Sequence, residues 1–193
     1  MVSRERAVQA VVIGGSAGSV SALGEILPGL PERFPAVLVV VHLPPSQPSL
    51  LAELYAPRCA MRVREAEPFD PIERGTVYIA PADYHLLVER DARCALSVGP
   101  AVNFSRPSID VLFESAADAF GPGLVGVVLT GASGDGARGL SAIHARGGRA
   151  LVEDPETAEV NAMPRAALAA VPTARVLSVP RILAELCLLG QGS

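Results

Sequence analysis

The stretch QAVVIGGSAGSV, residues 9–20, decides the fold of this 193-residue chain. Its apolar residues 10–13 predict a buried strand, and the glycines and serines that follow predict a tight turn into a helix from Ser19 to Leu27. A continuously apolar strand that enters a helix through a glycine-rich turn is typical of a parallel α/β sheet. The segment AVLVVV, residues 36–41, repeats the apolar pattern and predicts a second strand beside the first.

Strand-like and helix-like segments alternate along the rest of the chain, which favours an α/β fold in one domain over residues 1–193, with residues 1–7 as an N-terminal tail. Four short strands between residues 61 and 98, broken by Asp, Gly and Pro, predict a β-rich, antiparallel insertion at the sheet edge. Further predicted elements are strands at 124–130 and 149–153, a loop at 44–48, and helices at 49–55 (capped by Ser49), from Pro107, at 140–148, at 163–170 and at 181–189.

Composition excludes several functional classes. The net charge is −4 and all 16 basic residues are arginine, so a nucleic-acid surface and every lysine-dependent chemistry are disfavoured. Cys59, Cys94 and Cys187 are far apart and no His/Cys group has the spacing of zinc ligands, so we expect reduced thiols in a cytoplasmic protein with no metal and no cofactor. No apolar run reaches the ~18 residues of a membrane span, so we expect no membrane insertion.

Three chemically informative residues follow predicted strands: Ser16 after the first, His42 after the second, and Asp135 shortly after the strand that ends at Thr130. Ligands of open α/β sheets bind outside the carboxyl ends of the strands, where neighbouring parallel strands would bring these residues together. A serine hydroxyl needs a base to become a good nucleophile, imidazole can take its proton near neutral pH, and a carboxylate can orient the imidazole. The pattern therefore predicts a serine-hydrolase site.

The glycines around Ser16 fit the same chemistry. Residues 14–18 match G-x-S-x-G at a strand-to-helix turn, where small neighbours allow an exposed serine. Backbone N–H groups at the start of the next helix would then point at a developing oxyanion, and the glycine-rich loop 131–139 could bring a second donor.

Each residue also has a plainer explanation. A glycine-rich turn after a first strand can bind a phosphate or simply turn the chain, a lone His is often structural, and an Asp in G-D-G can cap a helix. The dinucleotide-binding pattern fails, because Ser16 and Ser19 stand where it needs glycine and His42 where it needs an acid. The order Ser–His–Asp differs from that of α/β-hydrolases, and His85 and His144 fall within strand-like and helix-like segments as packing residues.

The chain resembles the catalytic domain of the chemotaxis protein-glutamate methylesterases (CheB). The matching segments span about residues 8 to 189 and include VVIGGSAGSVSAL, VVVHLPPSQPSLLAELY, VNFSRPSIDVLFESAA and VVLTGASGDGARGLSAIHARGG. The resemblance implies a doubly wound, mainly parallel sheet with an antiparallel β-hairpin region, a Rossmann-like three-layer arrangement that is not the α/β-hydrolase fold.

The resemblance also implies an activity: removal of methyl esters from glutamate side chains of chemoreceptor helices, with release of methanol, and deamidation of certain receptor glutamines. It makes Ser16 the nucleophile, His42 the base and Asp135 the orienting acid. It places backbone oxyanion donors at Ala17 and Ala132, where the family usually has a hydroxyl-bearing residue and Met, so we expect an altered pocket.

The substrate implied by the resemblance is a methylated chemoreceptor helix or a related sensor protein. Arg106 and Arg138 could meet its acidic surface, or could be solvated arginines. The family usually carries an N-terminal receiver domain, and only about seven residues precede the first strand here. We therefore expect control by a separate regulatory protein or none. Two other functions stay open: a serine esterase of different scope, and a non-catalytic signalling module.

Overall fold

Seven of the nine strands in the described part of the chain form one sheet, and every pair of neighbours in it is parallel. The computed structural model describes residues 7–42 and 49–191, so the predicted loop at 44–48 and nearly all of the predicted tail lie outside the described residues. The strands are β1 (Ala10–Gly15), β2 (Ala36–Val41), β3 (Arg62–Glu65), β4 (Thr76–Ile79), β5 (His85–Val88), β6 (Cys94–Ser97), β7 (Leu124–Val128), β8 (Arg149–Glu153) and β9 (Arg175–Leu177).

The main sheet is doubly wound around β1. Its order is β3-β4-β2-β1-β7-β8-β9, so the chain first builds one side of β1 and then crosses to the other. The point where the strand order reverses lies between β1 and β7. The carboxyl ends of strands at such a reversal form the usual ligand crevice of this architecture.

Helices cover both faces of the sheet, as continuously apolar parallel strands require. One face packs on α1, α2 and α6, and the other packs on α3, α4 and α5. Alternate residues of β1 point into the two cores: Val12 packs with α3, whereas Val11 and Ile13 pack with α1. The helices are α1 (Ser19–Gly29), α2 (Leu51–Tyr55), α3 (Ile109–Phe120), α4 (Ala137–Ala145), α5 (Ala162–Ala170) and α6 (Val179–Gln191).

The prediction for the middle segment was half wrong. β3 and β4 are parallel members of the main sheet, paired through Val63 and Val77, and only β5 and β6 form an antiparallel pair. The four strands look alike in sequence because each is only 4 residues long. Burial distinguishes them only after folding, when β4 becomes fully buried between β2 and β3.

Other predicted bounds also differ: α4 begins at Ala137 rather than Leu140 and ends at Ala145 rather than Gly148. Ser49 does not cap α2: the helix begins at Leu51 with Leu50 in the cap position, and the buried Ser49 hydroxyl has no hydrogen-bond partner in the described part of the chain. The edge strand β9 was missed because it has only 3 residues, none of them buried. Among residues 7–42 and 49–191, no helix is both long and apolar enough to cross a membrane.

Candidate active site

Ser16 follows β1 directly and lies between the ends of two neighbouring strands. Its backbone N–H donates to Thr130 O at 2.9 Å, beyond the end of β7. The backbone N–H of His42, at the end of β2, donates to Gly15 O at 3.1 Å. Ser16 therefore occupies the predicted place at the reversal of strand order.

The glycines around Ser16 are required by close packing and by backbone conformation. A Cβ atom at Gly14 would overlap the side chain of Ile109, the first residue of α3. Gly18 has φ +82°, a left-handed conformation that favours glycine, and it precedes α1. The Ser19 hydroxyl closes the turn by donating to Ser16 O at 2.6 Å. The G-x-S-x-G pattern is thus fixed by the turn and by α3 packing against it.

His42 and Asp135 form a direct pair. His42 Nε2 lies 2.8 Å from Asp135 Oδ2, with the Asp135 side chain fully buried and that of His42 13% exposed. A carboxylate only accepts hydrogen bonds, so in the neutral imidazole Nε2 carries the proton and Nδ1 has the lone pair. The pair can therefore present Nδ1 as a base at the sheet edge.

Asp135 is held as a charged carboxylate by donors on every side. Besides His42, it accepts hydrogen bonds from the Ser108 hydroxyl at 2.8 Å and from the Ile109 and Asp110 backbone N–H groups at 2.6 and 3.2 Å. These N–H groups open α3, so the positive end of the helix dipole also faces the carboxylate. Burial by itself would raise the pKa of Asp135, but these bonds lower it below its ordinary value. Asp135 is charged at neutral pH and fit to orient His42.

Sequence reasoning missed a second layer of residues around Asp135. The Asn103 side-chain amide donates 2.8 Å hydrogen bonds to both Asp135 Oδ1 and Asp110 Oδ2, and so bridges two buried carboxylates. Asp110 in turn accepts from the backbone N–H groups of Gly136 and Gly139 at 3.0 and 2.7 Å, which fixes the loop that carries Asp135. A polar cluster just before a predicted helix was the available signal, because Asn, Ser and Asp at such positions favour caps and turns.

The structure does not join Ser16 to His42 by a hydrogen bond: across residues 7–42 and 49–191, the Ser16 hydroxyl makes no bond to the imidazole. The hydroxyl recorded near His42 Nδ1 is that of Ser105, at 3.5 Å, which is too long for a strong bond. Catalytic hydrogen bonds are often open without substrate and tighten on binding. The predicted nucleophile–base contact stays a prediction.

The predicted oxyanion donors lie beside Ser16. Ala17 and Ala132 are exposed, and neither backbone N–H has an acceptor within the described ranges. The loop of Ala132 passes close to the nucleophile, since a Cβ built at Gly131 would lie 3.0 Å from Ser16 Cβ. The Thr130 hydroxyl donates to Ala17 O at 2.9 Å and ties the two segments together. Two free N–H groups near one hydroxyl can stabilise a negative oxygen.

The buried carboxyl group of Glu153 binds the backbone of Thr130 next to this site. Glu153, at the end of β8, is 3% exposed and accepts a 2.7 Å hydrogen bond from the Thr130 backbone N–H. Burial raises the pKa of Glu153; the Thr130 bond lowers it in part, and the charges of Glu25 and Glu159 raise it further. The charged form of Glu153 therefore destabilises the folded protein.

We expect Glu153→Gln to stabilise the protein at neutral pH, because glutamine can accept the same bond from Thr130 without a buried charge. A raised folded pKa means that the wild type loses stability as pH rises from the ordinary value of 4.5 through the folded value. The free energy of unfolding, measured in urea, should be larger for the variant than for the wild type at pH 8 but not at pH 4. Equal pH dependence of the two proteins would contradict this account of Glu153.

The two predicted substrate arginines make contacts within the protein. Arg106 donates from one guanidinium nitrogen to Val98 O and Gly99 O at 3.0 and 3.1 Å, and it lines a cavity with His42. Arg138 pairs with Glu114 at 2.6 Å and lies 3.8 Å from Asp110. Arg106 thus borders the site, whereas Arg138 is engaged with α3. Their substrate contacts stay predictions.

The remaining histidines lie apart from this chemistry. His85 is buried between Pro100 O, 3.0 Å from Nε2, and the Ser108 N–H, 3.2 Å from Nδ1, so it supports the segment that holds Asp135. His144 is exposed and lies 3.2 Å from the Thr173 hydroxyl. No group of three or more His, Cys, Asp or Glu residues in the described ranges could hold a metal ion.

A cavity of about 300 Å³ opens beside the His42–Asp135 pair. His42, Ser105 and Arg106 contribute polar groups to its wall, and Ala101, Phe104 and Pro107 contribute apolar ones. Its volume would admit a side chain rather than a whole peptide. Asp83 completes the lining, and among the described residues Ser16 is not part of it.

Comparison with known proteins gives consistent matches. The family model of the CheB methylesterases matches residues 11–186. A Leptospira interrogans protein, provisionally named protein-glutamate methylesterase/protein-glutamine glutaminase, is 46% identical over 90% of this chain and 91% of its own length. Protein-glutamate methylesterase FrzG of Myxococcus xanthus is 41% identical over 91% of this chain, which spans 53% of FrzG.

A solved structure matches equally well. The crystal structure of the Thermotoga maritima CheB methylesterase catalytic domain superimposes with a TM-score of 0.89 at 32% sequence identity. The match covers 95% of this chain and all of the Thermotoga chain. The three-layer α/β architecture with its small antiparallel pair is therefore that of a known catalytic domain.

Proposed function

The chain belongs to the CheB methylesterase family, and we propose that it is a serine hydrolase that removes methyl esters from glutamate side chains of chemoreceptor-type proteins. Relatives named for glutaminase activity support deamidation of receptor glutamines as a second reaction of the same site. The observation that carries the proposal is the 2.8 Å His42–Asp135 pair at the strand end next to Ser16.

In the proposed mechanism, Ser16 Oγ attacks the ester carbonyl carbon while His42 Nδ1 takes the hydroxyl proton. Asp135 keeps the proton on Nε2 and stabilises the imidazolium that forms. The N–H groups of Ala17 and Ala132 bind the oxyanion of the tetrahedral intermediate. His42 then gives its proton to the leaving methoxide, so methanol departs and an acyl-Ser16 remains.

Water completes the cycle by the same route in reverse. His42 Nδ1 takes a proton from water, the hydroxide attacks the acyl carbon, and Ser16 leaves with the proton returned to its oxygen. The product is the free glutamate side chain. With a glutamine substrate, the identical steps release ammonia in place of methanol.

We extend the proposal to the setting of the enzyme. Its partners are methylated receptor helices or a related sensor protein, its catalytic unit is the single domain of residues 1–193, and it works in the cytoplasm. Arg106 remains a candidate substrate contact, because it lines the same cavity as His42.

The test is methanol release from a receptor helix fragment that its cognate transferase has methylated beforehand. We expect enzyme-dependent methanol from this fragment and none from the unmethylated fragment. A generic aryl ester run in parallel separates a receptor methylesterase from an esterase of different scope, which would hydrolyse only the aryl ester. A protein that hydrolyses neither would be a binding module, and the proposal would fail.

A further inference from the structure

A two-residue turn beside the active site carries a fully exposed aromatic ring. Val102 and Ser105 exchange backbone hydrogen bonds of 3.1 and 2.9 Å, which close a tight hairpin with Asn103 and Phe104 at its tip. Both tip residues have left-handed φ values, +50° and +62°. Such turns prefer glycine or asparagine, so Asn103 suits its place and Phe104 does not.

The turn is held in place by the catalytic carboxylate. Asn103 reaches inward to Asp135 and Asp110 with two 2.8 Å hydrogen bonds, and Ser105 on the other side of the turn lies 3.5 Å from His42 Nδ1. The Phe104 side chain is fully exposed to solvent. Residues in sparsely populated backbone conformations cluster at functional sites, so Phe104 is a candidate for a functional role.

Phe104 and His42 line the same cavity. A glutamyl ester carbonyl is three bonds of ~1.5 Å from its Cα atom, so the substrate backbone must lie within roughly 7 Å of the attacking oxygen. Because the attacking oxygen must come within about 3 Å of His42 Nδ1, the backbone of a protein that offers its ester to this site lies within roughly 10 Å of a residue in the cavity wall. Phe104 is the most exposed apolar residue of the cavity wall, and Val98, whose carbonyl binds Arg106 of the same wall, is 68% exposed.

We propose that Phe104 is a substrate-contact residue that packs against the apolar face of the helix carrying the glutamyl ester and so selects a protein-borne ester over a small one. The inference rests on the proposed function and specifies how that site recognises its substrate. The occupant is the receptor-type helix of the proposed function, in which side chains three and four positions from the modified glutamate lie on the same face as it. Aromatic side chains are the usual anchors of protein interfaces.

The testing variant is Phe104→Asn, since asparagine tolerates a left-handed backbone and removes only the apolar ring. Phe69→Asn is the matched control: Phe69 has φ +67°, is 71% exposed and lies outside the cavity lining. Phe104→Tyr keeps the ring and should restore binding. The measurements are kcat and KM for the methylated receptor helix fragment, kcat/KM for a small aryl ester, and the oligomeric state by light scattering.

We expect Phe104→Asn to raise KM for the methylated fragment about tenfold or more, as truncation of an aromatic anchor does, with kcat/KM for the aryl ester unchanged within about twofold. Phe69→Asn and Phe104→Tyr should behave as the wild type. Unchanged KM for the fragment, or an equal loss on both substrates, would overturn the inference. A change in oligomeric state instead of KM would show a contact between copies of the chain and also overturn it.

A failure of the proposed function would be seen with the wild type and not with the variants. If the wild type releases no methanol from the methylated fragment, the methylesterase assignment falls and the inference falls with it. If the wild type is active and Phe104→Asn is equally active, only the role of Phe104 is wrong.

Discussion

Replacing Ser16 by alanine is expected to lower methanol release from a methylated receptor fragment by about 10⁶-fold, the order of loss seen when a serine hydrolase loses its nucleophile. The residue left behind can form no acyl intermediate, while the oxyanion donors and His42 stay in place. The fold should be unaffected, because the Ser16 contacts that shape the turn come from its backbone N–H and carbonyl. The measurement is kcat for the variant and the wild type on the same fragment.

The matched variant is Ser105→Ala, because Ser105 carries the hydroxyl that the structure places 3.5 Å from His42 Nδ1. If Ser16 is the nucleophile, this variant should keep kcat within about tenfold of the wild type, the range expected for loss of one weak polar contact. Thermal unfolding of both variants checks that neither has lost its fold. Loss of activity in Ser105→Ala, with activity kept in Ser16→Ala, would exchange the roles of the two serines.

Replacing Asp135 by asparagine is expected to lower kcat about 10⁴-fold, because an amide donates where the carboxylate accepts. Nδ2 of the asparagine would face His42 Nε2 and force the imidazole proton onto Nδ1, the atom that must take the serine proton. A loss of this size with KM little changed would mark a defect in chemistry rather than in binding. A variant within about tenfold of the wild type would remove Asp135 from the mechanism.

The same variant tests the state of the buried carboxylate. Its hydrogen bonds hold the folded pKa of Asp135 below the ordinary value of 3.8, so Asp135 stabilises the wild type at neutral pH and loses that effect as pH falls from 3.8 through the folded value. Asp135→Asn should therefore be about 1–3 kcal/mol less stable at pH 7, the cost of unpaired buried donors, with a smaller difference in acid. Ser108→Ala, which removes only one donor, should lose less.

The fold was predictable where burial is continuous. The strand at Ala36–Val41 has the predicted bounds because its unbroken apolar run with β-branched residues favours a buried strand. The strand at Arg149–Glu153 also has the predicted bounds, although a charged residue stands at each end of its three apolar ones. The parallel pairing of β3 with β4 could not be predicted, because the hydrophobic pattern of a four-residue strand does not show which neighbour it pairs with. Pairing in a parallel sheet depends on distant segments that the local sequence does not contain.

Some residues of the candidate site could be predicted from the sequence and others could not. The placement of Ser16, His42 and Asp135 beyond strand ends followed from the sequence, since the ends of parallel strands meet at one edge, and their joint catalytic role stays a prediction. The contacts of Asn103 and Ser108 with Asp135 could not be predicted, because their loop reaches Asp135 only through long-range packing of α3. The left-handed backbone of Asn103 and Phe104 left no sign in the sequence other than the asparagine itself.

The most direct test of the catalytic assignment is the identity of the serine that a phosphonate ester modifies. Such a reagent phosphonylates the serine that the neighbouring base activates, and digestion followed by mass spectrometry locates the adduct. We expect an adduct on Ser16 that His42→Ala abolishes. An adduct on Ser105, or an adduct on Ser16 that forms equally fast without His42, would contradict it.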